Sequence, residues 1–249
     1  MQKEELKLQN LTEIRKELTR FMMIYKFGLD EMNTKIKILK EEFQYIHDYN
    51  PIEHIKSRIK TPESILNKLK RKNLELTLES IEKNIHDIAG IRIVCSFVSD
   101  IYKISDMIQK QKDVTVVTCK DYIQNPKPNG YQSLHLIIKI PVFLSDQVKD
   151  VFVEIQIRTV AMDFWASLEH KIFYRYHKDV PEYIMKELRY SATVATELDN
   201  RMEKLHHEIE EVMKNEQTSN DQLLLTEHHK GLDLLPTALL ETLISKEDK

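Results

Sequence analysis

A mixed fold of helices and sheet, of the α+β or α/β class, is what this sequence predicts, and three observations carry the prediction. From Leu11 to Ile46 the apolar positions recur three or four apart, the spacing of an amphipathic helix. Between Ile91 and Ile157 runs of β-branched residues take over. Beyond Pro181 the helical spacing returns and persists to Val212. With 249 residues, 41% of them hydrophobic, the chain can bury one sizeable core and carry helical additions.

In the first stretch, Ile14, Leu18, Phe21, Tyr25, Leu29, Met32, Ile36, Leu39, Phe43 and Ile46 form one stripe, with Gly28 as a place for a break or kink. The helical reading ends at Asn50-Pro51, because proline disfavours helical geometry in the residue before it. Thr61 then predicts a short helix: threonine caps well, Pro62 suits the first helical position, and Ser64 and Lys68 fall on one face. Strands are predicted at Ile91 to Phe97, Val114 to Val117, Leu134 to Ile140 and Val151 to Ile157, with a helical pattern near Tyr102 to Gln109. In the last strand Glu154, Gln156 and Arg158 alternate with Val153, Ile155 and Ile157, so the polar three share a face opposite the core. Ile184, Leu188, Ala192, Ala195, Leu198, Met202, Leu205, Ile209 and Val212 predict a long C-terminal helix. Asn215 to Asn220 read as a polar linker before a Leu-rich tail. The expected division is one domain over 1–214, with N-terminal helices in 1–50 and a C-terminal helix in 181–214, then linker and tail over 215–249.

A formal charge of -3 argues against wholesale adhesion to nucleic acid or acidic membrane, and no obligatory nucleic-acid partner is expected; a local basic pocket for a polyphosphate remains compatible. Cys95 and Cys119 have neither metal-site spacing nor disulfide density and read as reduced core residues. No apolar run is long enough to span a bilayer, and a cytoplasmic location without membrane partners is the expectation.

Asp87 and Glu154 stand out because each adjoins a β-run, and paired strands can bring them together. Phosphoryl-transfer sites hold Mg²⁺ with one or two carboxylates plus substrate phosphates. By spacing alone, two strand-end acids paired with Arg92 and Arg158 explain the pattern equally well. Arg58, Lys60, Lys68, Lys70, Arg71 and Lys72 flank a predicted helix N-terminus, a natural anion site, although a solvated basic helix has the same composition. The loop Asn125 to Tyr131 is a turn carrying Lys127 and an aromatic that can stack on a base or pack on the core edge, with His135 following. His47-Asp48 and His86-Asp87 are HD dipeptides of the kind found in all-helical phosphohydrolases, but the second leads straight into a strand; His228-His229 read as solvated.

His-Asp-Ile-Ala-Gly-Ile-Arg-Ile at 86–93, Gly-Tyr-Gln-Ser-Leu-His at 130–135 and Glu-Ile-Gln-Ile-Arg-Thr at 154–159 together resemble the synthetase domain of the RelA/SpoT family. Residues 50–54 and 161–170 resemble its small alarmone synthetases, particularly the RelP type, and the resemblance spans roughly residues 15–212. It implies an α+β, nucleotidyltransferase-like mixed sheet flanked by helices, and ATP-dependent synthesis of ppGpp or pppGpp from GDP or GTP in the bacterial stringent response, without hydrolase activity. By motif position it implies Asp87 and Glu154 on Mg²⁺, with Glu154 also placed to deprotonate the ribose 3′-hydroxyl. It implies Arg58 and Arg92 around adenine, and Lys60, Ser64 and Lys68 on the ATP phosphates. Tyr131 is implied on guanine, Lys127, His135, Gln156 and Arg158 on the acceptor side, and Asp163 as a guanine contact. Long terminal helices with wide apolar stripes predict a homo-oligomer, and the family points to a homotetramer.

Overall fold

In a computed structural model, residues 2–47, 49–175 and 180–219 are described. The elements are α1 (Gln2–Ile46), β1 (Ile52–Ile59), α2 (Pro62–Arg71), α3 (Leu78–Asn84), β2 (Ala89–Cys95), α4 (Val98–Gln109), β3 (Thr115–Asp121), β4 (Leu134–Phe143), β5 (Val148–Thr159), α5 (Val160–Arg175) and α6 (Glu182–Ser219). The strands form one sheet in the order β1-β2-β5-β4-β3. Only β2 and β5 run parallel within it; the other neighbours are antiparallel. That mixture makes the fold α+β rather than α/β, whose sheets are mainly parallel.

Period-two patterning decides which side of the sheet is covered. Ile91 and Ile93 of β2, Leu136 and Ile138 of β4, and Val153, Ile155 and Ile157 of β5 are all buried. They pack in one cluster with Met32 and Ile36 of α1 and with Ile101, Ile104 and Ile108 of α4. Each such side chain contributes about 1.5–3 kcal/mol by leaving water. The opposite face is left to Arg92, His135, Glu154 and Gln156, which stay half-buried. Glu154 and Gln156 therefore behave as the alternation predicts, whereas Arg158 is only 4% exposed. It is drawn under the start of α5 and the loop before β4 by the hydrogen bonds described below.

Several expectations are corrected. α1 continues through Gly28 without a break. A Cβ there would come within 3.0 Å of Val151 Cγ1, so the glycine serves the close approach of α1 to β5 rather than a bend. β1 went unread because its apolar residues, Ile52, Ile55 and Ile59, are three and four apart. A register shift between Ile52 and His54 breaks its alternation. α3 is only seven residues long, and its cap, Thr77 Oγ1 accepting from Ser80 N at 3.1 Å, is its main local signal. α5 follows β5 without a loop, capped by Thr159 Oγ1 accepting from Met162 N at 3.1 Å. The helix predicted at Thr61 forms as expected, with Thr61 Oγ1 accepting from Ser64 N at 3.3 Å. α6 runs to Ser219, so the segment read as linker is helical as far as it is described; Asn220 and the tail, with His228-His229, lie outside the described residues. Cys95 is buried, but Cys119 on β3 is exposed and is not a core residue.

Candidate active site

The parallel pairing of β2 with β5 sets Gly90 opposite Glu154. Asp87 lies three residues before Gly90, on the turn out of α3, so both acids reach the same end of the open face. Lys60, just past β1, is tied to this turn by its backbone N–H donating to Ile88 O at 2.8 Å. Its Nζ donates to Asp87 Oδ2 at 2.5 Å, and Lys68 Nζ on α2 donates to the same oxygen at 2.7 Å. Burial pushes the Asp87 carboxyl up, but the two ammonium groups outweigh it and hold it below the ordinary carboxylate range. The other oxygen, Oδ1, is buried without a hydrogen-bond partner. A buried, ionised oxygen in that state suits a cation.

Glu154 Oε1 lies 3.5 Å from His135 Nδ1, and Oε2 accepts from Gln156 Nε2 at 3.1 Å. Burial raises this carboxyl and the nearby charge of Asp87 adds to that, yet the contact with His135 brings the net shift below the ordinary value. Both acids are therefore ionised at neutral pH. Among the described residues no group of three or more His, Cys, Asp or Glu side chains converges as a metal cage. Two carboxylates nonetheless fit Mg²⁺, which keeps much of its octahedral shell as water and substrate phosphate.

Beside the acids, Lys56, Ser57, Arg58, Gly90, Ile91, Arg92, Glu154 and Gln156 line a pocket of about 170 Å³. Arg58 is the ladder partner of Gly90, and a Cβ on Gly90 would lie 3.8 Å from Arg58 Cγ, in ordinary contact with the arginine stem. Ser64 is exposed at the start of α2, its Oγ accepting from Thr61 Oγ1 at 2.9 Å. Arg92 reaches the other way, with Nη1 3.0 Å from Asp163 Oδ1.

On the far side a chain of hydrogen bonds connects nearly every remaining polar residue. Arg158 donates from Nε to Ser133 Oγ at 3.3 Å, from Nη1 to Asp163 Oδ1 at 3.2 Å and from Nη2 to Gln156 Oε1 at 2.8 Å, and also to the Tyr131 hydroxyl. Tyr131 Oη in turn lies 2.8 Å from His135 Nε2. The loop is tied on itself and to its surroundings. Gly130 N donates to Lys127 O at 2.8 Å, and Asn129 Nδ2 donates to Glu169 Oε1 at 3.0 Å. Gly130 has φ of 91°, and a Cβ there would meet Ala192 Cβ at 2.5 Å, so only glycine lets this turn seat against α6. Lys127 Nζ lies over the Tyr131 ring at 4.6 Å from its centroid.

Twelve of the thirteen residues given a role by motif position are joined by these contacts or share the pocket, with Ser64 apart at the start of α2, but their pairings differ from the simplest expectation. Arg92 and Arg158 pair with Asp163, not with Asp87 and Glu154. Lys70, Arg71 and Lys72 belong to the C-terminal end of α2 and are exposed; Lys72 Nζ donates to Asn84 O at 3.3 Å. The basic run is therefore split, with only Lys60 and Lys68 on the acid. His86-Asp87 lies on a turn before a strand rather than on a helical bundle. Sequence reasoning missed Ser133, fully buried and bonded to Ile157 O at 3.2 Å, and Asp199, whose Oδ2 accepts from Thr159 Oγ1 at 2.6 Å. Ser133 stands inside the motif at 130–135 but was given no role there, and no local pattern marks Asp199, which only its neighbours in space single out.

Comparison with known proteins adds three kinds of likeness. Residues 57–179 match the family model described as "Region found in RelA / SpoT proteins". GTP pyrophosphokinase YwaC of Bacillus subtilis is 52% identical over 189 residues, covering 76% of this chain and 90% of that relative. The crystal structure of small alarmone synthetase 2 from Bacillus subtilis superposes with a TM-score of 0.71 at 49% identity, covering 77% of this chain and 99% of that one. Small alarmone synthetase 1 from Bacillus subtilis, solved bound to its product pppGpp, gives a TM-score of 0.72 at 39% identity, covering 78% and 98%.

Proposed function

The chain belongs to the RelA/SpoT family, and from that premise we propose that it is a GTP pyrophosphokinase, passing the β,γ-diphosphate of ATP to the ribose 3′-hydroxyl of GDP or GTP. The products are AMP and ppGpp or pppGpp. The observation that carries this reading is the convergence of two ionised acids between an arginine-lined pocket and the Tyr131 network. Mg²⁺ held by Asp87 and Glu154 would supply positive charge to the phosphate oxygens. The rest is positioning by the chain's own residues.

Arg58 and Arg92 offer flat guanidinium faces for adenine. Lys60 and Lys68, at present on Asp87, can turn to the ATP phosphates, joined by Ser64. Tyr131 stacks on guanine once Lys127 swings from its ring to the acceptor phosphates. Gln156, His135 and Arg158 keep Glu154 and the acceptor in register, and Asp163 accepts from the guanine N–H groups. The 3′-oxygen attacks the β-phosphorus, the bond to the α-phosphate bridging oxygen breaks, and AMP departs with that oxygen. Glu154, ionised at neutral pH, accepts the 3′-hydroxyl hydrogen bond and takes that proton as the new O–P bond forms.

The reading also includes self-association to a homotetramer. Phe164 and Leu168 on α5 and Leu198, Met202, Leu205 and Ile209 on α6 are exposed apolar side chains along adjoining helices. Light scattering should return four times the chain mass at micromolar concentration.

The direct test is to incubate ATP and Mg²⁺ with GDP and GTP in separate arms and resolve the nucleotides by anion exchange. AMP and a more highly charged guanosine product should appear together, and Glu154→Gln should lower turnover by on the order of 10³-fold. Nucleotide binding without AMP release in either arm would sink the assignment.

A further inference from the structure

The proposed function puts Arg92 on the donor side and Arg158 on the acceptor side, yet one oxygen holds both. Asp163 Oδ1 lies 3.0 Å from Arg92 Nη1 and 3.2 Å from Arg158 Nη1. We infer that Asp163 couples the two nucleotide sites, so that filling either raises the affinity of the other. The inference rests on that reading of the sites.

The two arginines are not held alike. Arg158 is fixed by Ser133, Tyr131 and Gln156 as well as Asp163, and its side chain is 5% exposed. Arg92, with 31% exposed, has Asp163 as its one ion-pair partner among the described residues. To stack on a purine, Arg92 must turn its guanidinium face to the base, and the bond to Asp163 opposes that movement. Guanine presents adjacent N–H donors at N1 and N2 and is best met by a carboxylate, but Oδ1 already serves two guanidinium groups. ATP drawing Arg92 away relieves Asp163 of one of them. Guanine engaging Asp163 loosens Arg92 in the same way. Each ligand weakens a contact that the other must break, which is positive coupling, and thermodynamic linkage makes it reciprocal.

The link lies in the fold rather than in the loop. Arg92 sits opposite Gln156 in the β2–β5 ladder, and Asp163 lies in the first turn of α5, directly after the strand that carries Arg158. No movement of a whole element is needed, only a change of partner by one half-exposed side chain.

The test is calorimetric titration of the full chain with α,β-methylene-ATP, whose α–β bridge cannot be cleaved, in Mg²⁺ with and without saturating GDP. The wild type should bind the analogue at least about 5-fold more tightly when GDP is present. Asp163→Asn, which keeps an acceptor for guanine but loses the charge, and Arg92→Gln should each reduce that factor to less than about 2-fold, and the double variant should go no lower. A wild-type factor under about 2-fold, or variants that keep the wild-type factor, would overturn the coupling while leaving the enzyme assignment intact. Should Asp163→Asn fail to fold, Arg92→Gln probes the same link from a half-exposed position. If neither nucleotide binds the wild type, the assignment of function fails, and the coupling with it.

Discussion

Asp87 and Asp163 each hold two cations, but the surroundings make them different devices. Asp87 is met by the ammonium groups of Lys60 and Lys68 and keeps a second oxygen, Oδ1, buried and unbonded. Asp163 is met by two guanidinium groups, one of them locked into a wider hydrogen-bond network. Lysine is a mobile point charge, whereas arginine is a planar fork that fixes direction. On the proposed reading, the region around Asp87 surrenders its cations to phosphates, while the region around Asp163 preserves geometry and passes on a change of partner.

That contrast is broken most directly at the acids themselves. Asp87→Asn should lower kcat by on the order of 10³-fold in the AMP-release assay, while Asp163→Asn should act mainly on nucleotide affinity. Equal losses in kcat would mean that the two acids are not different devices. Next in size is stability. Arg158→Ala removes a buried guanidinium bonded to Tyr131, Ser133, Asp163 and Gln156, though Asp163 keeps Arg92 and Ser133 keeps Ile157 O, and should cost about 2 kcal/mol in denaturant unfolding. Lys60→Ala should cost less, about 1 kcal/mol, since Lys68 remains on Asp87, and the larger loss should appear in KM for ATP. A smaller effect is expected from Tyr131→Phe, which keeps the stacking ring but removes a hydroxyl bonded to Arg158 and His135. Acceptor KM should rise by about 5-fold, equivalent to about 1 kcal/mol, with ATP binding measured alone unchanged.

A pH-dependent effect is expected at Asp199 on α6, which accepts from Thr159 at the end of β5. Burial, with Glu203 nearby, pushes the Asp199 carboxyl up from 3.8 to about 6, against the hydrogen bond from Thr159. A carboxyl raised on folding is a stability cost fully present above its folded pKa and relieved as pH falls towards its unfolded one. Asp199→Asn removes the charge and keeps an acceptor for Thr159. Its melting temperature should exceed that of the wild type above about pH 7, and the gap should close between about pH 6 and pH 4. A gap of constant size across that range would contradict this account of Asp199.

Much of this architecture was legible in advance. Helical spacing marked α1 and α6, and the Thr61-Pro62 pair marked the start of α2. Two-residue alternation put Glu154 and Gln156 on the open face. Ordered motifs named the candidate site residues where composition alone left alternatives standing. Tertiary structure decided the rest. β1 became a strand by pairing with β2 although its apolar residues have helical spacing. Cys119 was left exposed, and the basic run after Lys68 was turned away by the length of α2. Above all, Arg92 and Arg158 were given to Asp163. Periodicity reports which face of a segment is buried, because burial acts on each segment along its own repeat. It carries no record of which strand lies beside which, and a charged side chain takes its partner from the register of β2 against β5 and from the helix that follows.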